Sequence, residues 1–175
     1  MKQKHNRLCA RWRASAIAGA FCLGISLYAG ISGYAMAADV TGRPHVTDGD
    51  TLRFGKQSVR LAGIDAPERK ELCDEDTDHP KPCGQIAAKA LRDRIGHQIV
   101  TCSGTTTDHY RRLVATCYAA GEDLGAFMVR SGQALAYRRY SEAYIAEEDE
   151  ARKAGRGIWA GSFIPPWTWR KNQHR

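Results

Sequence analysis

Between positions 51 and 64 apolar and polar residues alternate, with Leu52, Phe54, Val59 and Leu61 as the apolar beats. A period of two marks strands with one buried face. The break at Gly55-Lys56-Gln57 predicts a hairpin joining strands at 51–54 and 59–64. From Gln85 the period lengthens: Ile86, Ala87, Ala90, Leu91 and Ile95 fall on one face of a helix over 85–95, stopped by Gly96. Strands are expected again at 98–102 and 113–118. A short helix should cover 124–131, with Asp123 as its N-cap and Gly132 as its stop. A third is expected over 141–154, where Glu142 and the run from Glu147 to Glu150 precede Arg152 and Lys153, the order a helix dipole favours. From Gly161 the chain carries Pro165, Pro166, Trp167 and Trp169, and is expected to lie extended over the domain or to fray.

Strands first, one helix between the third and fourth strands, and helices afterwards describe an α+β chain. The plan is that of a small five-stranded oligonucleotide-binding barrel with about three helices.

Residues 1–37 break this pattern. Lys2, Lys4, Arg7, Arg11 and Arg13 precede an uncharged stretch rich in Ala, Gly, Ile and Leu, which ends in Ala35-Met36-Ala37. A basic head, an apolar middle and a small-x-small exit predict a secretory leader cleaved after Ala37. The alternative is an uncleaved membrane anchor, since the uncharged stretch reaches the length of a spanning helix. Gly19, Gly24, Gly30 and Gly33 weaken that helix and favour cleavage. The expected organisation is a leader at 1–37, a domain at 38–160 and a Pro/Trp-rich tail at 161–175. The expected location is the periplasm or the medium, reached by the general secretory route, with membrane association only if the leader stays.

The leader changes the meaning of the composition. Formal net charge over 175 residues is +7, which points to an acidic partner such as nucleic acid. Without the leader, Lys and Arg fall from 26 to 21 against 19 acids, and the net charge is only +2. Hydrophobic residues at 43% and charged residues at 26% exclude a wholly disordered chain. Cys73, Cys83, Cys102 and Cys117 remain after the leader. In an oxidising compartment they predict two disulfides from three connectivities, and nearest-neighbour pairing, Cys73–Cys83 and Cys102–Cys117, is expected. A four-cysteine zinc site lacks the usual Cys-x-x-Cys spacing. The acidic run from Glu71 to Asp78 lacks the spacing of a calcium loop and reads as a solvated loop pinned by its flanking cysteines.

Three segments concentrate charge beyond what a sheet needs: Asp48-Gly49-Asp50-Thr51, the decapeptide from Val59 to Glu68 (VRLAGIDAPE), and Asp108-His109-Tyr110-Arg111-Arg112. Singly, each has an ordinary structural explanation as turn or solvated face. Together with Gly132-Gln133-Ala134-Leu135-Ala136-Tyr137 and Gly157-Ile158-Trp159, the set resembles the thermonuclease, or staphylococcal-nuclease-like, family over most of the mature chain. The resemblance implies a calcium-dependent endonuclease, a hydrolase of DNA and RNA phosphodiesters with little sequence specificity, leaving 3′-phosphates. By position it implies Asp50, Asp65 and the carbonyl of Ala66 as Ca2+ ligands, and Arg60, Glu68 and Arg112 as the catalytic trio. Tyr110 and Tyr137 become candidates for substrate contact, on single-stranded or unpaired nucleic acid, by a monomer. The competing expectation is a non-catalytic nucleic-acid-binding barrel.

The chemistry suits those residue types. Phosphodiester attack builds negative charge, which a divalent cation and planar guanidiniums neutralise. Arg112 is expected to act electrostatically, since guanidinium does not readily release a proton. One departure from the family pattern is Arg111, which stands where Gly is usual and would be strained if the turn needs positive φ.

Overall fold

The computed structural model describes residues 38–74 and 76–173, so the expected leader lies outside the described residues. In chain order the elements are β1 (Ala38–Gly42), β2 (His45–Asp48), β3 (Thr51–Phe54), β4 (Gln57–Leu61), β5 (Ile64–Asp65), α1 (Cys83–Ile95), β6 (Val100–Thr107), β7 (Leu113–Ala119), β8 (Glu122–Asp123), α2 (Leu124–Arg130), β9 (Leu135–Ala136), α3 (Ile145–Lys153), a 3₁₀ turn (Gly157–Ala160) and α4 (Pro166–Gln173). The main sheet runs β1-β6-β7-β4-β3-β2, with β8 paired to β7, and β5 pairs separately with β9. The α+β class and the oligonucleotide-binding barrel hold. The five expected strands become nine among the described residues, because the sheet is broken by bends and bulges and gains β1 and β2 ahead of the hairpin.

Alternation explains the sheet. Leu113, Ala115, Cys117 and Ala119 of β7 point inward, as do Val59 and Leu61 of β4. They meet Leu91 and Ile95 of α1 and Leu124, Met128 and Val129 of α2 in one core. Asp123 caps α2 by accepting from the N–H groups of Gly125 and Ala126.

Four expectations are corrected. Helix α1 starts at Cys83, and its buried stripe includes Ala88 while Ile86 is exposed, because small side chains let the helix lie close to the sheet. Helix α3 starts at Ile145, not at 141. The Ser141 hydroxyl accepts from Ala143 N–H, and buried Tyr144 turns inward to donate to the Asp123 carboxylate. From Pro166 to Gln173 the tail is a helix, α4, rather than extended or frayed. Its Pro166 start suits a first turn, where a missing N–H costs nothing.

The acidic run is the fourth. Glu71 is only 1% exposed, and Asp74 is buried with its carboxylate accepting from Ser162 N–H. These two carboxylates belong to the packed structure, while Asp76 and Asp78 are exposed. The structure brings Cys73 to Cys83 and Cys102 to Cys117 within bonding distance, with Cα separations of 5.7 and 4.0 Å. The first pair joins Leu135 and Ile158 in a second apolar cluster, against which Trp159, Phe163 and Trp167 pack.

The two late motifs explain themselves here. Gly132 and Gly157 both have positive φ; a Cβ at Gly132 would stand 2.1 Å from the Arg156 carbonyl oxygen and one at Gly157 2.1 Å from that of Gly132, with Ile158 N–H donating to the Gly132 carbonyl at 2.9 Å. No side chain fits at either position.

Candidate active site

Arg60 sits between Val59 and Leu61, so strand alternation turns it to the opposite face from the core. Register places it beside Thr51 of β3 on one side and Val114 of β7 on the other. The Asp48-Gly49-Asp50 turn reaches the same place because Gly49 packs where a Cβ would lie 2.7 Å from the Ala66 methyl and 2.9 Å from that of Ala87. Glycine there lets the Asp50 carboxylate reach the Asp65-Ala66 segment.

The result is one connected network. Arg60 Nη1 lies 2.9 Å from Asp50 Oδ2, and its Nη2 lies 2.6 Å from Asp65 Oδ1. Asp50 Oδ2 also accepts from Ala66 N–H at 3.2 Å, while Oδ1 accepts from the Thr51 hydroxyl at 3.0 Å. Arg112 Nη1 donates to that hydroxyl at 3.2 Å, and its Nε donates to Asp108 Oδ2 at 2.8 Å. From the far side Arg170, on α4, donates through Nη2 to Asp65 Oδ2 and through Nη1 to Glu68 Oε1, both at 2.6 Å. Above this floor opens a cleft of about 1150 Å³, lined by Arg60, Glu68, Tyr110, Arg112, Tyr137, Tyr140, Trp169 and Arg170 among others. Asp50 and Asp65 lie beneath it, at 4% and 0% exposure.

Burial disfavours charge on Arg60 and Arg170, yet the facing carboxylates hold both guanidiniums above the usual arginine range. Asp48 behaves oppositely. Burial, together with the neighbouring Asp50, pushes its carboxyl up to about 7. Glu71 is also pushed up to about 7, chiefly by burial. Its Oε2 accepts from Glu68 N–H at 2.9 Å, and its own N–H donates to the Glu68 carbonyl at 2.7 Å, which fixes the backbone that carries Glu68.

The turn from Asp108 to Arg112 decides which arginine faces the cleft. Arg111 has φ +62 and its side chain is exposed, whereas Arg112 is half-buried and lines the cleft. Asp108 accepts from Arg112 N–H and Tyr110 N–H. Partial burial works against its charge, but these N–H groups and the Arg112 guanidinium hold its carboxyl below the ordinary range. Tyr110 is 68% exposed at the rim, with the Arg112 guanidinium 5.2 Å from its ring centre. Tyr137 is half-buried, one face stacked on Trp167 at 5.4 Å between ring centres and 3° between planes.

The structure therefore brings Arg60, Asp50, Asp65, Glu68 and Arg112 together, with Ala66 adjoining. It adds Arg170 and Glu71, which the sequence reading missed. The surplus of arginines in an acid-free end was the only available sign of Arg170, and nothing in the local pattern distinguished Glu71 from its solvated neighbours.

Among the described residues no cluster of three or more His, Cys, Asp or Glu side chains is arranged to hold a metal ion. The donor chemistry nevertheless fits a hard divalent cation. Two buried carboxylates converge on a single cation, here the Arg60 guanidinium, and all their donor atoms are oxygen.

An oligonucleotide-binding barrel whose cleft is floored by carboxylates and walled by arginines defines a protein that handles nucleic acid phosphates. Comparison with known proteins narrows the class. The family model for staphylococcal nuclease homologues matches residues 58–161. A protein of Escherichia coli named an uncharacterized endonuclease is 32% identical over 77% of this chain and 88% of its own length. One of the same name from Haemophilus influenzae is 33% identical over 73% of this chain and 71% of its own. A staphylococcal-like nuclease of Arabidopsis thaliana is 34% identical over 67% of this chain and 34% of its own. The chain belongs to the staphylococcal nuclease homologue family, and is a nuclease-type hydrolase acting on nucleic acid.

Proposed function

We propose that the protein is an exported, calcium-dependent endonuclease that cleaves DNA and RNA at unpaired regions with little sequence preference, acts as a monomer and leaves 3′-phosphates. The observation that carries this reading is the connected network joining Arg112, Thr51, Asp50, Arg60 and Asp65, and through Arg170 also Glu68, at one open cleft.

Asp50, Asp65 and the Ala66 carbonyl would hold Ca2+, which when bound supplies neutralisation of the charge growing on the phosphoryl oxygens. Their two carboxylates leave most of an oxygen shell to water and substrate, which favours weak affinity toward the millimolar range. Glu68, whose carboxylate faces the cleft, orients the attacking water and takes its proton as the new bond to phosphorus forms. The bond from phosphorus to the 5′ oxygen breaks, and solvent water protonates that leaving oxygen. Arg60 and Arg112, which both line the cleft, pair with the non-bridging oxygens, where planar guanidinium outperforms ammonium. Tyr110, exposed at the rim, offers a stacking face to an unpaired base.

Export through cleavage after Ala37 is supported by the leader's composition and by two cysteine pairs placed for disulfides. The test of the activity is digestion of single-stranded DNA by the mature protein with calcium and with chelator. Cleavage that needs calcium and yields 3′-phosphate ends is the expected result. Oligonucleotide binding without cleavage would replace it with the binding-module function. N-terminal sequencing of the exported protein tests the leader.

A further inference from the structure

We propose that Arg170, carried on α4 beyond the matched family segment, is a positioning residue for the reaction, holding the Glu68 and Asp65 carboxylates in one fixed relation. Its fork is the only group among the described residues that touches both: Nη1 meets Glu68 Oε1 and Nη2 meets Asp65 Oδ2, each at 2.6 Å. The other oxygen of Asp65 belongs to Arg60, so the two guanidiniums fix the plane of that carboxylate from both sides. Glu68, one-third exposed at the cleft, has no other side-chain hydrogen bond among the described residues to set its rotamer.

The helix that carries Arg170 is anchored rather than free. Trp167 stacks flat on Tyr137 and packs with Phe163 on the apolar cluster around Cys73 and Cys83. Upstream, Asp74 N–H donates to the Ser162 carbonyl while the Asp74 carboxylate accepts from Ser162 N–H, so the segment is tied at both ends. An arginine on such a mount aims two carboxylates rather than sweeping the cleft. A lysine presents one nitrogen on a flexible stem instead of a planar fork, and would not hold the two carboxylates at the same fixed spacing.

This inference rests on the proposed metal-dependent nuclease function, and the full mature protein tests the two separately. In Arg170→Ala, turnover of single-stranded DNA at saturating calcium should fall roughly 10–100-fold with KM within about threefold, as expected when a reacting group loses its aim. Calorimetric titration with calcium should meanwhile show equal or tighter binding, because a positive charge beside Asp65 has gone. Arg170→Lys should recover only part of the turnover, and millimolar guanidinium ion should partly rescue the alanine variant. Turnover unchanged or raised in Arg170→Ala would overturn the proposal and mark an obstructing arginine. A rise in KM alone would mark a substrate contact, and parallel loss of turnover, calcium affinity and unfolding midpoint a merely structural one. A folded parent that leaves single-stranded DNA uncut with calcium present, or cuts it equally under chelator, would overturn the metal-dependent nuclease function on which this inference rests.

Discussion

Replacing Arg111 by glycine should stabilise the protein and leave cleavage intact. Arg111 holds φ +62 in the turn between β6 and β7, where its N–H donates to the Asp108 carbonyl at 2.9 Å. A left-handed conformation costs an ordinary L-residue about 1–2 kcal/mol. Glycine removes that cost but adds about 0.4–1 kcal/mol of freedom to the unfolded chain. The side chain is exposed and makes no hydrogen bond among the described residues, so the substitution forfeits no contact there. The net gain should be about 0.5–1 kcal/mol, or roughly 2–4 °C in unfolding temperature for a domain of this size. Ala120, at φ +47 in the turn before β8, provides a control with the same backbone relief away from the cleft. Calorimetry and urea titration measure the stability, and single-stranded DNA digestion measures the activity. Destabilisation of Arg111→Gly would refute the backbone argument. A fall in turnover of a hundredfold would show that Arg111, not Arg112, faces the phosphate.

Arg112→Lys should lower kcat/KM by roughly 10–100-fold in the digestion assay, since an ammonium cannot serve Asp108 and a phosphate in parallel; near-normal turnover would exclude a bidentate clamp. Glu71 has a folded pKa of about 7 against an ordinary 4.5, so the fold favours its protonated form. Its stability contribution is complete below about pH 4.5 and is lost as pH climbs through 7, about 3 kcal/mol in all. The stability of Glu71→Gln relative to the parent should therefore rise between pH 5 and 8 in urea titrations, and a difference independent of pH would refute the assignment. Reducing or deleting the Cys102–Cys117 pair, which spans 15 residues, should cost about 3 kcal/mol if the cysteines are oxidised. Thiol titration of the unfolded protein decides that condition. Finally, two site arginines, Arg60 and Arg112, meeting phosphates on single-stranded DNA predict a log-affinity slope of about −1.4 against log salt; a much steeper slope would reveal a larger basic surface.

What the sequence made legible was whatever depends on short-range pattern. Alternation around Gly55 located the hairpin, and it also turned Arg60 away from the core, which is why the VRLAGIDAPE segment carries both fold and candidate chemistry. Asp123 was readable as a helix cap because capping needs only its own helix. What stayed hidden depends on distant partners. Glu71 looks like its solvated neighbours until its carboxylate meets Glu68 N–H and its carbonyl accepts from Gly84 N–H at the start of α1. The tail's helix depends on Tyr137 and the Cys73–Cys83 region, both far away in sequence. Arg170 meets its carboxylates across more than a hundred residues, a separation that no local period records.

The same contacts explain how a domain with so little net charge over residues 38–175 can hold a polyanion. Each arginine of the cleft already has an internal carboxylate: Arg60 has Asp50 and Asp65, Arg112 has Asp108, and Arg170 has Asp65 and Glu68. A phosphate therefore gains the Arg60 or Arg112 guanidinium by exchange with an existing partner, not by meeting free positive charge. Exchange recovers less energy than fresh pairing, so ground-state binding should be weak and the salt slope shallow. Charge that develops only during attack on phosphorus competes better for the same guanidiniums than the resting diester does. Arginines held in place by their own carboxylates thus favour the transition state over the ground state, the condition under which binding energy accelerates a reaction.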